Sequence, residues 1–420
     1  MCSTYSDHVR EVLRRLPEAR EVLRNVVHRT PLSSSLTFSQ MTSAEVYLKL
    51  ENLQKTGSFK PRGAYYAMWK KFKEGVRWFV AASSGNHAQG VAYAAKLLGA
   101  KATIVMPKYA PITKVVATQG YGAEVILHGE TFDDAYEKAL QLVEEGAYFV
   151  HPFNDYDVIA GQGTIGLEII EDLPNVDVVV VPVGGGGLIS GISIAVKSRN
   201  PHVKVIGVQP KGAPAAYLSY KEGKLVKVER INTIADGVAI KRPGDKTLAI
   251  MRELVDDIVL VDDFEIARAV FLLLERGKLV AEPAGALAVA AILSGKVDVK
   301  GKRVVAVVSG GNVDMSLLAT IIRRGLFLEG RNVRIRGLLP DRPGQLKRVV
   351  DVIAEFGFNI VTIEHVRSNP LVHPGMAEVE LEIEVPNREA ALRMLDKLKE
   401  RGIMFKLLHP GEWLEARGVH

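Results

Sequence analysis

The chain has almost no cysteine, few aromatic residues and no long apolar run. Cys2 is the one cysteine among 420 residues, which excludes an intrachain disulfide and any cysteine-based metal site. No apolar stretch reaches the roughly 18 to 20 residues that a membrane span needs. The longest candidates, VDVVVVPVGGGGLISGISIAV and RVVAVVSGGNV, are broken by glycines and read as buried parallel strands with their loops. The stretch MCSTYSDHVREVLRRLPEAREVLRNVV is charged and amphipathic and has no signal-peptide apolar core, so no membrane partner and a cytoplasmic location are expected. The net charge is +6, yet lysines and arginines alternate with acids and form no aromatic-rich basic stripe, so nucleic acid is not an expected partner. No GxxxxGK[ST] occurs, which removes a P-loop.

What is present is an ordinary globular balance, 47% apolar and 24% charged, in a length sufficient for two to three domains. After a helical lead-in over about 5 to 26, strand and helix patterns alternate for almost three hundred residues. RWFVAAS, KATIVMP, AEVILHG, YFVHPF, VDVVVVPV, KVIGVQP, DIVLV and KRVVAVVSG read as strands. Alternation of this kind predicts an α/β fold with two open, twisted parallel sheets wrapped by helices. They form subdomains that divide near residue 150, the smaller one (about 53–150) inserted in the larger, the whole covering 1–325. After IRRGLFLEGR, read as a short basic linker, residues 331–408 follow the order β-α-β-β-α-β of a ferredoxin-like module. Its strand EVELEIEV alternates strictly, as a one-sided antiparallel sheet does.

Four clusters carry candidate chemistry, at loops that follow strands or open helices. Gly184, Gly185, Gly186 and Gly187, before Leu188, let successive N–H groups converge on an anion at a helix N-terminus. A flexible turn is the plainer reading, and a dinucleotide fingerprint is only weakly mimicked, so a lone phosphate monoester fits better. In AASSGNHAQG, Ser83, Ser84, Gly85, Asn86 and His87 precede or open a helix and suit a carboxylate, although Ser84 or Asn86 could simply cap it. His87 reads as structural. Ser309 in VVSGGNVD follows a buried strand and is either a turn residue or a hydrogen-bond partner of a cofactor ring. Lys60 in TGSFKPRGAYYA is either a solvated cation on a first helical turn or an amine whose pKa is depressed, ready to form a Schiff base. Together the four suggest pyridoxal phosphate, and none alone is specific.

SFKPRGA, SSGNHAQG, GGGGL, EPAGA and SGGN, in this order, resemble the fold-type II pyridoxal-phosphate enzymes, whose fold is like that of tryptophan synthase beta and which include threonine dehydratases, serine dehydratases and serine racemases. TIADGVAIKRPG looks most like the threonine dehydratase branch. The resemblance implies that Lys60 is the Schiff-base lysine and general base. It implies that Asn86 bonds the cofactor's 3′-oxygen, that Gly184 to Leu188 hold the phosphate, and that Ser309 meets the pyridine nitrogen. Ser83, Ser84, Gly85 and His87 would form the substrate-carboxylate loop, with Ser84 as acid or base on the face opposite Lys60. The implied activity is deamination of L-threonine to 2-oxobutanoate, with serine as a second substrate. The alternatives are a serine racemase or dehydratase, or an idle amino-acid sensor. Gln209 and Ala215 stand where racemase relatives carry two metal-binding acids, so no divalent metal site is expected; a monovalent cation on carbonyls stays open. Glu282 matches a family acid of unassigned role. LLPDRPGQL resembles an ACT domain, which implies an amino-acid effector at Asp341, Gly344, Leu346 and Asn359, facing another copy of the module in a homodimer or homotetramer. A purely structural module stays open.

Overall fold

The computed structural model describes residues 5–408. It divides into two compact units, Met1–Asp314 and Met315–His420. In the first unit the strands run β1 (Leu32–Ser34), β2 (Glu45–Leu50), β3 (Trp78–Ala82), β4 (Lys101–Met106), β5 (Glu124–Leu127), β6 (Tyr148–Phe149), β7 (Val178–Pro182), β8 (Lys204–Pro210), β9 (Asp257–Val261) and β10 (Arg303–Val308). They form two sheets, ordered β1-β2-β10-β7-β8-β9 and β5-β4-β3-β6. Every pairing is parallel except β1 with β2.

Sequence dictates this arrangement through burial. β7 is buried at every residue, as a strand with helices on both faces must be. Around it, Ile165, Val179, Val181, Ile189, Ile192, Val205 and Val305 make one core. A second core, with Met68, Phe79, Ala81, Val91, Ile104 and Met106, fills the four-stranded sheet's layer. β10 lies between β2 and β7, with Val304 aligned to both Val46 and Val178. Their carboxyl ends therefore emerge side by side, where open α/β sheets place ligands.

The second unit contains β11 (Asn332–Pro340), β12 (Asn359–Val366), β13 (Met376–Glu384) and β14 (Phe405–Leu407), ordered β12-β13-β11-β14 and antiparallel throughout. With helices Gln345–Glu355 and Arg388–Glu400 this is the ferredoxin-like arrangement. Val379, Leu381 and Ile383 alternate inward from β13 onto the helices' apolar faces.

The expected basic linker is a helix for most of its length. Met315–Leu328 buries Leu318, Ile321 and Gly325 at helical spacing, whereas Arg323 and Arg324 had suggested a solvated connector. The strand expected over YFVHPF ends at Phe149, and residues 150–155 form a loop that contributes to the site. β1, β2 and the helix Leu36–Thr42 had no equivalent in the sequence reading, being short and of mixed polarity.

Candidate active site

Lys60 is the first residue of the helix Lys60–Lys73, followed by Pro61, whose fixed φ suits a first turn. Behind it the helix Asn86–Leu98 crosses at Gly90, where a Cβ would lie 3.1 Å from Lys60 Cβ. The amine donates to the carbonyl of Pro152 at 3.2 Å and makes no ion pair within 4.0 Å among the described residues. Although the residue keeps some surface, its amine end is hemmed in by protein. Desolvation lowers its pKa to about 8, against a weaker opposing pull from Glu282. Such an amine is a competent nucleophile near neutral pH.

After β7, Gly186 has φ +94° and is the residue before the helix Gly187–Arg199. A Cβ at Gly185 would collide with the ring of Phe153. The N–H groups of Gly184, Gly185, Gly186, Gly187 and Leu188 donate to no other described residue. The loop is instead braced from outside, where Thr247 Oγ1 donates to Gly185 O at 2.7 Å. Five uncommitted N–H groups at a helix N-terminus form a cradle for a phosphate.

After β3, Gly85 N donates to Ser83 Oγ at 3.2 Å. The N–H groups of Ser84, Asn86 and His87 are uncommitted among the described residues, which suits a carboxylate. The His87 ring points elsewhere, 2.8 Å from the carbonyl of Val150. Burial, aided by the Lys60 charge, holds its pKa at about 3, so the imidazole is neutral. After β10, Ser309 is buried and its carbonyl accepts from Phe59 N at 3.1 Å, next to Lys60. Its hydroxyl has no partner among the described residues.

Three features escaped the sequence reading. The loop 151–155 binds the site together. Pro152 holds the Lys60 amine, Phe153 packs on the glycine loop, and Asn154 Oδ1 accepts from Lys246 N at 3.1 Å, just beyond Gly244. Asn312 Nδ2 reaches Asn86 Oδ1 at 2.8 Å. Glu282, seen in sequence but given no role, accepts from Asn86 Nδ2 at 2.7 Å. Burial first and Asp236 second raise the Glu282 pKa to about 7, partly offset by the Asn86 hydrogen bond. A proline between two aromatics in VHPFND is the one signal that could have pointed to the loop. Gln209 Oε1 accepts from Tyr217 N at 2.9 Å and its Nε2 is buried without a partner among the described residues, an amide rather than a cation-binding carboxylate.

In the second unit, Asp341 follows β11 and binds Arg367 through both carboxylate oxygens at 2.8–3.0 Å. Gly344, with φ +85°, precedes the helix that contains Leu346. Asn359 is not with them. It aligns with Glu384, whereas Pro340 aligns with Met376, so about 26 Å of strand separates Asn359 from the Asp341 turn within one copy.

Known proteins resemble this chain closely. The family model described as pyridoxal-phosphate dependent enzyme matches residues 23–310. An L-threonine ammonia-lyase of Thermotoga maritima is 55% identical over 371 residues, 88% of this chain and 92% of that protein. The processed form of threonine deaminase isoform 2 of Solanum lycopersicum superposes with a TM-score of 0.72 at 39% identity, covering 75% of this chain and 88% of that one. Maize serine racemase superposes with a TM-score of 0.71 at 36% identity, covering 77% and 99%.

Proposed function

We propose, from the premise that this chain belongs to the pyridoxal-phosphate dependent enzymes, that it deaminates L-threonine by β-elimination to 2-oxobutanoate and ammonia, and L-serine to pyruvate. The observation that carries this reading is the Lys60 amine, held at a pKa of about 8 beside the Ser309 strand end. The residues fit the cofactor: an amine for its aldehyde, five free N–H groups for its phosphate and an uncommitted hydroxyl for its ring nitrogen. When bound, the cofactor supplies the electron sink for charge developing at the substrate Cα.

The chain's own residues do the rest. Lys60 would anchor the cofactor through its amine and would serve as the base for the substrate Cα proton. The N–H groups of Gly184 to Leu188 would hold the phosphate, and Asn86 would meet the 3′-oxygen. Ser309 would present a neutral hydroxyl to the ring nitrogen, where an acid would protonate it, and would so favour prompt loss of the β-hydroxyl. Ser83, Ser84, Gly85 and the His87 N–H orient the substrate carboxylate. One methyl group separates threonine from serine and is worth only about 1 to 3 kcal/mol of discrimination, so both should react. Incubation with L-threonine, L-serine and D-serine, reading keto-acid release and the cofactor spectrum together, tests this. Keto acid from both L-substrates is expected; none from either overturns the reading. The likeness to maize serine racemase, with an uncommitted Ser84 hydroxyl, supports a second reading in which D-serine appears from L-serine.

We assign residues 1–325 to catalysis and 331–408 to an ACT-like sensing module in a cytoplasmic homodimer or homotetramer. β12 is an edge strand, exposed at every residue but Ile360. Two-fold antiparallel pairing of β12 with the β12 of a second copy would bring Asn359 of one copy toward the Asp341 turn of the other. The ligand would be a branched-chain amino acid such as isoleucine. If isoleucine and valine change neither activity nor melting temperature, the sensing role falls.

A further inference from the structure

We infer that Glu282 and Asn312 are positioning residues that lock the Asn86 side-chain amide in one orientation, leaving one Nδ2 hydrogen free for the cofactor. This rests on the assignment of Asn86 to the cofactor's 3′-oxygen.

An asparagine amide carries two N–H donors and one carbonyl. Asn312 spends both donors, one on Thr56 O at 2.8 Å and one on Asn86 Oδ1 at 2.8 Å. Asn86 then gives one Nδ2 hydrogen to Glu282 Oε1 at 2.7 Å and keeps one. At the Asn312 end the polarity cannot reverse. The Thr56 carbonyl only accepts, which fixes Asn312, which fixes Asn86. An unprotonated Glu282 oxygen also only accepts. A half-turn of the Asn86 amide would set donor against donor at Asn312 and, with Glu282 unprotonated, acceptor against acceptor at Glu282, losing both bonds.

The backbone makes room for this chain of contacts. A Cβ at Gly310 would collide with Glu282 Oε1, and one at Gly57, where φ is +73°, would collide with Asn312 Oδ1. These glycines belong to SGGN and TGSFK, the segments that carry Ser309 and Lys60. Glu282 caps the helix Pro283–Leu293 without using its side chain on that helix, so its carboxylate is available for Asn86.

The test uses the holoenzyme and reads the visible spectrum of the bound cofactor as well as turnover. Asn86→Ala and Glu282→Leu should perturb that spectrum in the same direction, and the double variant should add nothing further. Glu282→Gln, which keeps an acceptor oxygen, should restore the spectrum. Turnover in Glu282→Leu should fall about 10-fold or more, as when a supporting partner is lost. If Glu282→Leu does not fold, Asn312→Ala carries the same expectation. An unperturbed spectrum in Glu282→Leu or Asn312→Ala, with Asn86→Ala perturbed, overturns the inference alone. An unperturbed Asn86→Ala overturns the Asn86 assignment with it. A wild-type protein that takes up no cofactor overturns the functional reading instead.

Discussion

Lys60 and Arg62 stand two residues apart on one helical turn, and the protein treats them in opposite ways. Arg62 is wholly buried and saturated. It meets Glu51 at 2.8 Å, Glu168 at 2.6 Å, Thr164 at 3.1 Å and the His28 carbonyl at 3.1 Å. Burial works against its charge, but Glu51 and Glu168 outweigh burial and raise its pKa. Lys60 has one carbonyl and no close carboxylate, so desolvation wins and the pKa falls to about 8. A buried cation is thus made permanent or reactive by its partners alone. The contrast predicts that one position governs chemistry and the other stability.

The largest effect should come from Lys60→Ala. Losing the anchor and the base together should cost turnover more than about 1,000-fold and abolish the absorbance of the linked cofactor. The apoprotein's melting temperature should move little, since the charge removed was already disfavoured. Near-normal activity, or unfolding as severe as that expected for Arg62 variants, would break the contrast.

Arg62→Met should do the reverse. It leaves the buried Glu51 and the half-buried Glu168 without their shared cation, a loss of about 3 to 5 kcal/mol. The urea midpoint of the first unit should fall accordingly. An unchanged midpoint would mean that Lys49, which also reaches Glu168 at 2.6 Å, is sufficient by itself.

These two residues also mark what could be read from sequence. Lys60, the glycine loop and Ser309 stand out as candidates because each lies in a short motif at a helix start or a strand end. The pairing of Arg62 with Glu168 was not legible, since Glu168 is 106 residues away. The Asn86 clamp was invisible for the same reason, with partners 196 and 226 residues distant. The parallel sheets showed through their unbroken valine runs, and the ferredoxin-like order through alternation. Asn359 was grouped with Asp341 because sequence does not reveal strand register, which sets them at opposite ends of the sheet. The Met315–Leu328 helix was hidden by its two central arginines.

A smaller effect sharpens the Lys60 side. Capture of cofactor by apoenzyme needs the neutral amine. With a pKa of about 8, the neutral fraction falls about tenfold for each pH unit below that value, and capture should level off above it. The rate of appearance of bound-cofactor absorbance across pH 6 to 10 measures this. A rise that continues to the ordinary lysine value of about 10.4 would show an unperturbed amine.

The smallest stability effect should come from the ion pair between Lys114 and Asp236, 2.6 Å apart, with Asp236 largely exposed. Breaking an exposed pair is worth at most about 1 kcal/mol, so Asp236→Asn and Lys114→Met should both leave the melting temperature nearly unchanged. Their electrostatic effects on Glu282 should nevertheless have opposite signs. Asp236 pushes the Glu282 pKa up and Lys114 pulls it down. Removing the Asp236 charge should therefore lower that pKa from about 7, and removing the Lys114 charge should raise it. In pH profiles of turnover or of the bound-cofactor spectrum, any limb that belongs to Glu282 should move acidward in Asp236→Asn and alkaline in Lys114→Met. Both shifts should shrink in high salt. A limb that moves the same way in both variants would report a local rearrangement rather than charge, and Glu282 would not be the group that titrates.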